Sequence, residues 1–226
     1  MIGPGGARLS RSGRFRGRSP VSPRAPIGSS AHPPRRSPIQ QFFPHALRTP
    51  GHDAGAFTGG GAKIVHHSTE GSTAGGALSA FRAANSWPHF TDTFENGVYV
   101  VHQHLPLNVA ARALEHPAGT GETNRDHCIQ IEHVGFAAHM HDIPAGYIAG
   151  IAALCRFIEQ QCGVERQAAF PFLAPGISHR LDWPTFHHYS GHLGHQHVPN
   201  QPSGHTDPGR LPIKAILHRE ALPHAA

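Results

Sequence analysis

The sequence predicts an α/β fold in which helices flank a central mixed β-sheet. Short apolar runs typical of buried strands alternate along the chain with longer segments of helical periodicity. With 226 residues, of which 38% are hydrophobic, the chain is long enough for one domain and additional sequence. No run approaches the ~20 consecutive apolar residues that a membrane-spanning helix needs, so we expect no transmembrane segment.

Three segments are predicted to be strands of this sheet. Residues 62–66 form a short apolar run that ends in a histidine, and residues 98–104 and 128–134 are rich in β-branched residues. Ile129 and Ile131 are two positions apart, so they face the same side of the sheet.

Three further segments, residues 75–85, 145–161 and 211–217, are predicted to be helices. The second is the clearest, because its apolar residues recur at i, i+3, i+4 and i+7. Pro144 precedes it and Gly163 follows it, which are the residues that helix starts and ends favour. Its apolar face consists of Ile148, Ile151, Leu154, Cys155 and Ile158.

Residues 1–50 are predicted to be a disordered tail, and residues 51–226 the folded domain. The tail holds nine Arg and no Lys, Asp or Glu, and it lacks hydrophobic periodicity. The chain has a net charge of +5, but the ten basic and fourteen acidic residues of 51–226 give that part a net charge of −4. Nucleic-acid-binding domains carry a basic face of their own, so we expect no specific nucleic-acid partner.

Two interpretations of the tail remain open. Its arginines are suited to holding the protein near an anionic wall polymer or membrane lipid. Alternatively, it is an inert extension, or the product of a start site assigned too far upstream. The segment that follows Arg35 and Arg36 is polar and interrupted by Pro44, so we expect no signal peptide.

The three cysteines do not suggest a disulfide framework. Cys155 falls in the predicted helix 145–161 and Cys162 directly follows it. At helical rise, seven residues separate them by roughly 10 Å, beyond the ~7 Å limit for a bridge. Cys128 falls in a predicted strand. We therefore expect buried free thiols.

Histidine and carboxylate clusters point to metal chemistry. The chain has 22 His against 14 acidic residues, and imidazole is the commonest transition-metal ligand in proteins. The clusters are residues 66–70, Glu132, and the segment 194–209 that contains His195 and Asp207. Two His and one Asp give zinc three protein ligands and leave a fourth position for water, which is the pattern of catalytic zinc.

Five ordered blocks between about residues 57 and 217 carry a family resemblance. They are KIVHHSTEG at 63–71, SWPHF at 86–90, NRDHCIQIEHVGF at 124–136, SGHLGHQHVP at 190–199 and HTDPG at 205–209. Together they resemble the type-2 N-acetylmuramoyl-L-alanine amidases and peptidoglycan recognition proteins, especially the amidases of actinobacteria and their phages.

The resemblance implies a Zn²⁺ amidase with its metal site at one edge of the sheet. Such an enzyme hydrolyses the lactyl amide between N-acetylmuramic acid and L-alanine, so peptidoglycan and muropeptides are the expected partners. The resemblance implies that His66, His195 and Asp207 bind zinc, that Glu132 is the general base, and that His205 donates a hydrogen bond to the oxyanion. We expect a monomer, either secreted to the cell wall or phage-encoded.

Four further positions bear on this site. His67 is the alternative to His66, because neighbours in a strand point to opposite sides, but the family pattern favours the first histidine. Asn124 and Arg125 are expected to line the glycan or peptide groove, since they precede the catalytic strand. Relatives carry a Tyr where this sequence has Pro88, so the base function falls to the carboxylate alone.

Two other functions remain as alternatives. One is a recognition module that binds muropeptides without cutting them, although such modules usually lack a zinc ligand and all three matched positions are filled here. The other is a His-rich metal-buffering or nucleic-acid-binding protein that acts through the arginine tail. The latter predicts strongly salt-dependent binding that disappears when residues 1–50 are deleted.

Overall fold

The computed structural model describes residues 40–202 and 204–219. Most of the predicted tail lies outside these residues, so its disorder and its binding to an anionic polymer stay predictions. Residues 40–50 belong to the folded unit, because Leu47 and Arg48 pair with another strand and Phe43 packs against the hydrophobic core. The predicted domain boundary at residue 50 is therefore wrong.

In the described part of the chain, six strands form one mixed sheet. They are β1 (Leu47–Arg48), β2 (Lys63–Ser68), β3 (Phe90–Glu95), β4 (Val98–Gln103), β5 (Cys128–His133) and β6 (Gly191–Gly194). Their order is β1-β4-β3-β5-β2-β6, and every neighbouring pair is parallel except β3 with β4. The predicted mixed sheet is confirmed, with β2, β4 and β5 at the predicted places and β1, β3 and β6 additional.

A tight hairpin joins β3 to β4. Asn96 and Gly97 form its two-residue loop, with φ angles of 53° and 78°, between the paired residues Glu95 and Val98. Asn-Gly is the preferred sequence for such a loop, because both positions require a positive φ.

Four α-helices surround the sheet in the described residues. They are α1 (Ala74–Ala84), α2 (Ala145–Cys162), α3 (Trp183–His188) and α4 (Ile213–His218). The predicted helices correspond to α1, α2 and α4, and only α3 was not predicted. Gly163 ends α2 with a φ of 72°, as its position after the last apolar residue indicated.

The sheet has two faces of different character. The first, which we call the helix face, carries Ile64 and Ile131, which pack against α2 and α4 in the largest core cluster. The second, which we call the cleft face, carries Val65 and Leu193, which pack in a separate cluster. Both faces are covered, so the central strands are buried along their whole length.

The three strands β5, β2 and β6 are adjacent and parallel. Their carboxyl ends therefore meet at one edge of the sheet, which is where ligand sites of open α/β sheets usually lie. Within the described residues, no helix has both the length and the apolar character needed to cross a membrane.

Helix α2 lies unusually close to the β3–β4 hairpin because two glycines face it. A Cβ atom added at Gly150 would overlap the ring of Tyr99, and one at Gly146 would lie 2.6 Å from Cζ of Phe94. A larger residue would not fit at either position without a shift of the ring it meets, so glycine is accommodated here although it otherwise weakens a helix.

We predict that Gly150→Ala destabilises the protein although alanine is the better helix former. The gain in helix propensity is about 1 kcal/mol, whereas overpacking costs typically about 1–3 kcal/mol. Urea unfolding measures the difference. The matched control is Gly75→Ala in α1, where an added Cβ meets nothing within 4 Å and stability should not fall. A Gly150→Ala variant that unfolds at a higher urea concentration than the wild type would contradict the packing described here.

Candidate functional site

Two histidines and an aspartate meet on the cleft face, at the carboxyl ends of β2 and β6. Nδ1 of His67 lies 3.1 Å from Nδ1 of His195 and 3.5 Å from Oδ2 of Asp207. Nδ1 of His195 lies 3.2 Å from Oδ1 of Asp207. One ligand atom from each of these residues lies within 4.8 Å of the others. We call His67, His195 and Asp207 the cleft trio.

His66 does not belong to this group, so the prediction that His66 lies with His195 and Asp207 is wrong. Its ring points to the helix face, where it contacts His133 and His192. The reason is the register of the parallel strands. His66 pairs with Gly194 of β6, so the next residue in each strand, His67 and His195, points to the opposite face.

Two hydrogen bonds from backbone N–H groups and a following turn position Asp207. Its carbonyl oxygen accepts a hydrogen bond from the N–H of Gln196 at 3.1 Å, and its Oδ2 accepts one from the N–H of Ser68 at 3.3 Å. Gly209 then turns the chain with a φ of 64°, and a Cβ there would clash with the carbonyl oxygen of Ala137. Glycine is therefore required in the turn that follows the aspartate.

The cleft trio lies at the base of a cleft of about 630 Å³. Glu132 reaches into it from β5, where it is the register partner of His67, and its Oε1 lies 3.9 Å from Nδ1 of His67. The ring of His205 lies 4.7 Å from that of His195. Both predicted catalytic residues are thus beside the trio. Glu70, Arg112, Glu115, Phe81 and Leu114 complete much of the cleft wall.

No protein-family model matches this sequence, and a search of curated proteins finds no match either. Solved structures that are similar include two N-acetylmuramoyl-L-alanine amidases from Clostridium intestinale URNW. LysC is 14% identical, with 77% of this chain and 95% of that chain covered at a TM-score of 0.47. The endolysin LysCS is 14% identical, with 80% and 100% covered at a TM-score of 0.48.

A third similar structure is that of the Staphylococcus aureus hydrolase AmiA in complex with its ligand. It is 12% identical, with 76% of this chain and 80% of that chain covered at a TM-score of 0.49. Similarity at this level carries no conclusion about activity. The chemistry of the site is therefore argued from its own residues.

The carboxylate of Glu132 is held in an environment that favours its protonated form. Burial, followed by the charges of Asp207 and Glu70, raises the pKa of Glu132 well above its usual value. Its Oε2 is buried and has no hydrogen-bond partner among the described residues. A carboxyl group of this kind is suited to accepting and returning a proton near neutral pH.

The trio is arranged around a negative charge. Burial opposes ionisation of Asp207, but the neighbouring His195 and His67 outweigh it and hold the pKa of Asp207 below its usual value. Burial lowers the pKa of His67 to about 4, although the hydrogen bond to Asp207 works in the opposite direction. At neutral pH the site therefore contains an ionised aspartate and a neutral His67.

Gln201 fixes which nitrogen of His195 carries the proton. Oε1 of Gln201 accepts a hydrogen bond from the N–H of Glu115 at 2.9 Å and lies 3.1 Å from Nε2 of His195. An amide oxygen only accepts, so Nε2 of His195 must donate. In the neutral ring, Nδ1 then keeps its lone pair, and this is the nitrogen that faces His67 and Asp207.

This arrangement fits a metal ion. Nδ1 of His195 and the oxygens of Asp207 are all acceptors, and the neighbouring Nδ1 of His67 can supply at most one hydrogen to them. Nitrogen and carboxylate ligands in this combination suit Zn²⁺. A buried group with more acceptors than hydrogens is stabilised by a cation. His67, His195 and Asp207 are therefore the residues that would hold a metal here.

Asn124 and Arg125 do not line the cleft, so this prediction is wrong. Asn124 is buried, and its Oδ1 accepts hydrogen bonds from the N–H of Leu114 and from the side chain of Gln130. Nε of Arg125 donates to the carbonyl oxygen of Ala56. Both precede the amino end of β5, whereas Glu132 is near its carboxyl end. Asn124 therefore holds the backbone of the cleft-wall residue Leu114 without lining the cleft itself, and Arg125 holds the loop at Ala56.

Sequence reasoning missed the role of four residues at the site. Glu70 was visible within the HHSTE segment, directly after the strand that carries His67. Arg112, Glu115 and Gln201 lie outside every motif, and no local signal marks them. They reach the site through loops whose paths depend on contacts distant in the chain.

We predict that Gln201→Leu weakens Zn²⁺ binding at the cleft trio by about 10–100-fold, the usual effect of removing a group that orients a metal-binding histidine. Gln201→Glu is the matched control, because its carboxylate still accepts from Nε2 of His195 and should preserve most of the affinity. Competition with a chromophoric chelator measures both, and thermal unfolding checks that both variants fold. Equal affinity of Gln201→Leu and wild type would contradict the assigned tautomer.

Proposed function

We propose that this protein is a zinc-dependent N-acetylmuramoyl-L-alanine amidase that hydrolyses the lactyl amide of peptidoglycan. One observation carries the proposal: the convergence of His67, His195 and Asp207 beside the buried carboxylate of Glu132, in an open cleft. Three ligands and an adjacent base make up a hydrolytic zinc site. The choice of substrate comes from the resemblance of the five sequence blocks to this family of amidases.

The cleft trio supplies the ligands for the metal. Bound zinc lowers the pKa of water from 15.7 toward ~7 and polarises a carbonyl group. The protein's contribution is to hold the three ligands in place through strand register and through Gln201, which directs the lone pair of His195 into the site.

Glu132 is the proton carrier in this proposal. It accepts a proton from the attacking water and returns it to the nitrogen of the leaving amine as the C–N bond breaks, so that a carboxylic acid and an amine are formed. Its side chain is 11% exposed and lines the cleft in which the attacking water would lie. No other side chain has to act as base, in keeping with Pro88 at the position where relatives carry a Tyr.

His205 is proposed to stabilise the oxyanion that forms when water attacks. Burial and the neighbouring His195 lower the pKa of His205, so the neutral imidazole predominates at neutral pH and donates its single N–H. Removing one donor of this kind typically reduces kcat by about 10²–10³-fold.

The same cleft also suits a recognition module that binds muropeptides without cleaving them. The complete trio and the protonatable Glu132 favour catalysis, since neither is needed for binding alone. The two functions differ in their products. An amidase creates a new amino terminus on L-alanine, whereas a binding module leaves the stem peptide attached to the glycan.

We predict that Glu132→Gln abolishes release of stem peptides from purified peptidoglycan while muropeptide binding and zinc content persist. The amide retains the shape of the side chain but cannot accept the proton, so the loss should fall on kcat. End-group analysis for new N-terminal L-alanine measures release, and calorimetry measures muropeptide binding.

The wild type and Glu95→Gln serve as controls, since Glu95 is an exposed carboxylate at the end of β3 and outside the cleft. Both should release stem peptides at equal rates. If the zinc-loaded wild type releases none but binds muropeptides, the recognition function replaces the amidase. If Glu132→Gln remains fully active, the proposed base is wrong.

A further inference from the structure

A second group of buried polar side chains lies on the helix face, behind the cleft trio. Nδ1 of His66 is 2.9 Å from Nε2 of His133, and its Nε2 is 3.0 Å from Nδ1 of His192. Nδ1 of His133 is 2.8 Å from Oδ1 of Asp92, and Nε2 of His192 is 3.0 Å from Oε1 of Glu159. Three imidazoles thus form one continuous chain between two carboxylates.

Both ends of this chain only accept hydrogen bonds. Asp92 also accepts from the hydroxyl groups of Tyr147 at 2.8 Å and Tyr99 at 2.9 Å. Both oxygens of Glu159 face Nη1 of Arg166, at 3.0 and 2.6 Å. A carboxylate held on both oxygens by a guanidinium group is ionised.

This chain of imidazoles and carboxylates has fewer hydrogens than hydrogen-bond contacts. Four contacts join the three imidazoles to each other and to the two carboxylates, and each contact needs one hydrogen. A neutral imidazole carries one N–H, so three rings supply three. Suppose that His133 donates to Asp92 and that His66 donates to His133. His192 would then have to donate both to Nε2 of His66 and to Glu159, but a neutral ring has a single N–H.

A cysteine lies beside the contact between His66 and His192, where the hydrogen is missing. Cys155 of α2 is fully buried, and its Sγ and one ring nitrogen each of His66 and His192 all lie within 4.8 Å of one another. Two imidazoles and a thiolate are the ligands that Zn²⁺ and Cu⁺ prefer. This second set of donors shares no residue with the cleft trio.

We propose that His66, His192 and Cys155 form a second, structural metal site for a thiolate-binding cation such as Zn²⁺, on the opposite face of the sheet from the catalytic cleft. The cation takes the place of the missing hydrogen. With the lone pairs of His66 Nε2 and His192 Nδ1 directed at it, Nε2 of His192 is free to donate to Glu159. His66 donates to His133, and all the remaining contacts are satisfied by neutral rings.

The surroundings match what metal-binding histidines usually have. Each such histidine donates its other N–H to a carboxylate or another acceptor, which orients the ring. Here His192 donates to Glu159 directly, and His66 reaches Asp92 through His133. The charges also balance: a divalent ion, the thiolate, Asp92, Glu159 and Arg166 sum to zero, as a buried site requires.

The site joins parts of the fold that are distant in the chain. His66 belongs to β2, His192 to β6 and Cys155 to α2, so a bound ion ties the helix to the two strands that also carry the cleft trio. His66, His192 and Cys155 are each 0% exposed, so the ion must enter as the protein folds. A chelator should therefore remove it far more slowly than an ion in the open cleft.

The test uses full-length protein produced in medium supplemented with zinc or with cobalt. We expect a second zinc ion per chain that resists dialysis against a chelator and is released on unfolding in denaturant. In the cobalt protein we expect a thiolate-to-cobalt charge-transfer band in the near ultraviolet. The cleft trio has no sulfur ligand, so this band reports on the second site alone.

Two variants assign the band. Cys155→Ser should lose both the band and the chelator-resistant ion, whereas Cys128→Ser, which changes another buried thiol on the cleft face, should keep both. His67→Ala should keep the band while losing the ion in the cleft.

The wild type alone can overturn the proposal, whatever the variants do. A folded wild-type protein with no chelator-resistant ion and no charge-transfer band would show that the histidine chain is closed by one extra shared proton instead of a metal. This result would leave the amidase proposal intact, because that proposal depends on the cleft trio.

Discussion

The side chains of a β-strand alternate between the two faces of its sheet, and in β2 this alternation separates two histidines that are adjacent in the chain. Parallel neighbours in fixed register extend the separation across three strands. On the cleft face, His67 meets Glu132 of β5 and His195 after β6. On the helix face, His66 meets His133 and its neighbours. A slip of one residue in either pairing would mix the two groups and dismantle both sites.

The segment from residue 195 to residue 209 carries two members of the cleft trio. Its described residues contain one short 3-10 turn and otherwise no helix or strand, so side chains hold it in place. Nη2 of Arg180 donates to the carbonyl oxygen of His205 at 2.7 Å, and Nη1 donates to that of Val198 at 3.2 Å. The buried side chain of Gln196 donates to the carbonyl oxygen of Gly209 at 3.1 Å. These contacts satisfy backbone carbonyl groups of the segment.

Elements with strong local signals were predictable, and elements that depend on distant partners were not. Helix α2 has an apolar period and an end at Gly163 that are visible in the sequence. Strand β3 has three consecutive polar residues between its two Phe, and its pairing with strands on both sides places it in the sheet. The sequence indicates that His66 and His67 face opposite ways, but which of them meets His195 depends on a pairing between residues 128 positions apart. Asn124 was misplaced because proximity in sequence to Glu132 was taken for proximity in space. From Cys128 to Glu132 the strand alone rises about 13 Å, at ~3.3 Å per residue.

The most direct test of this account is a zinc titration of protein whose accessible metal has been removed by a chelator, with release of N-terminal L-alanine from peptidoglycan as the readout. We expect activity to be absent after chelation and to return in full with one equivalent of Zn²⁺ in the wild type, but not in His67→Ala. Full activity in the chelated wild type, or full recovery in His67→Ala, would contradict the claim that His67, His195 and Asp207 form the catalytic metal centre.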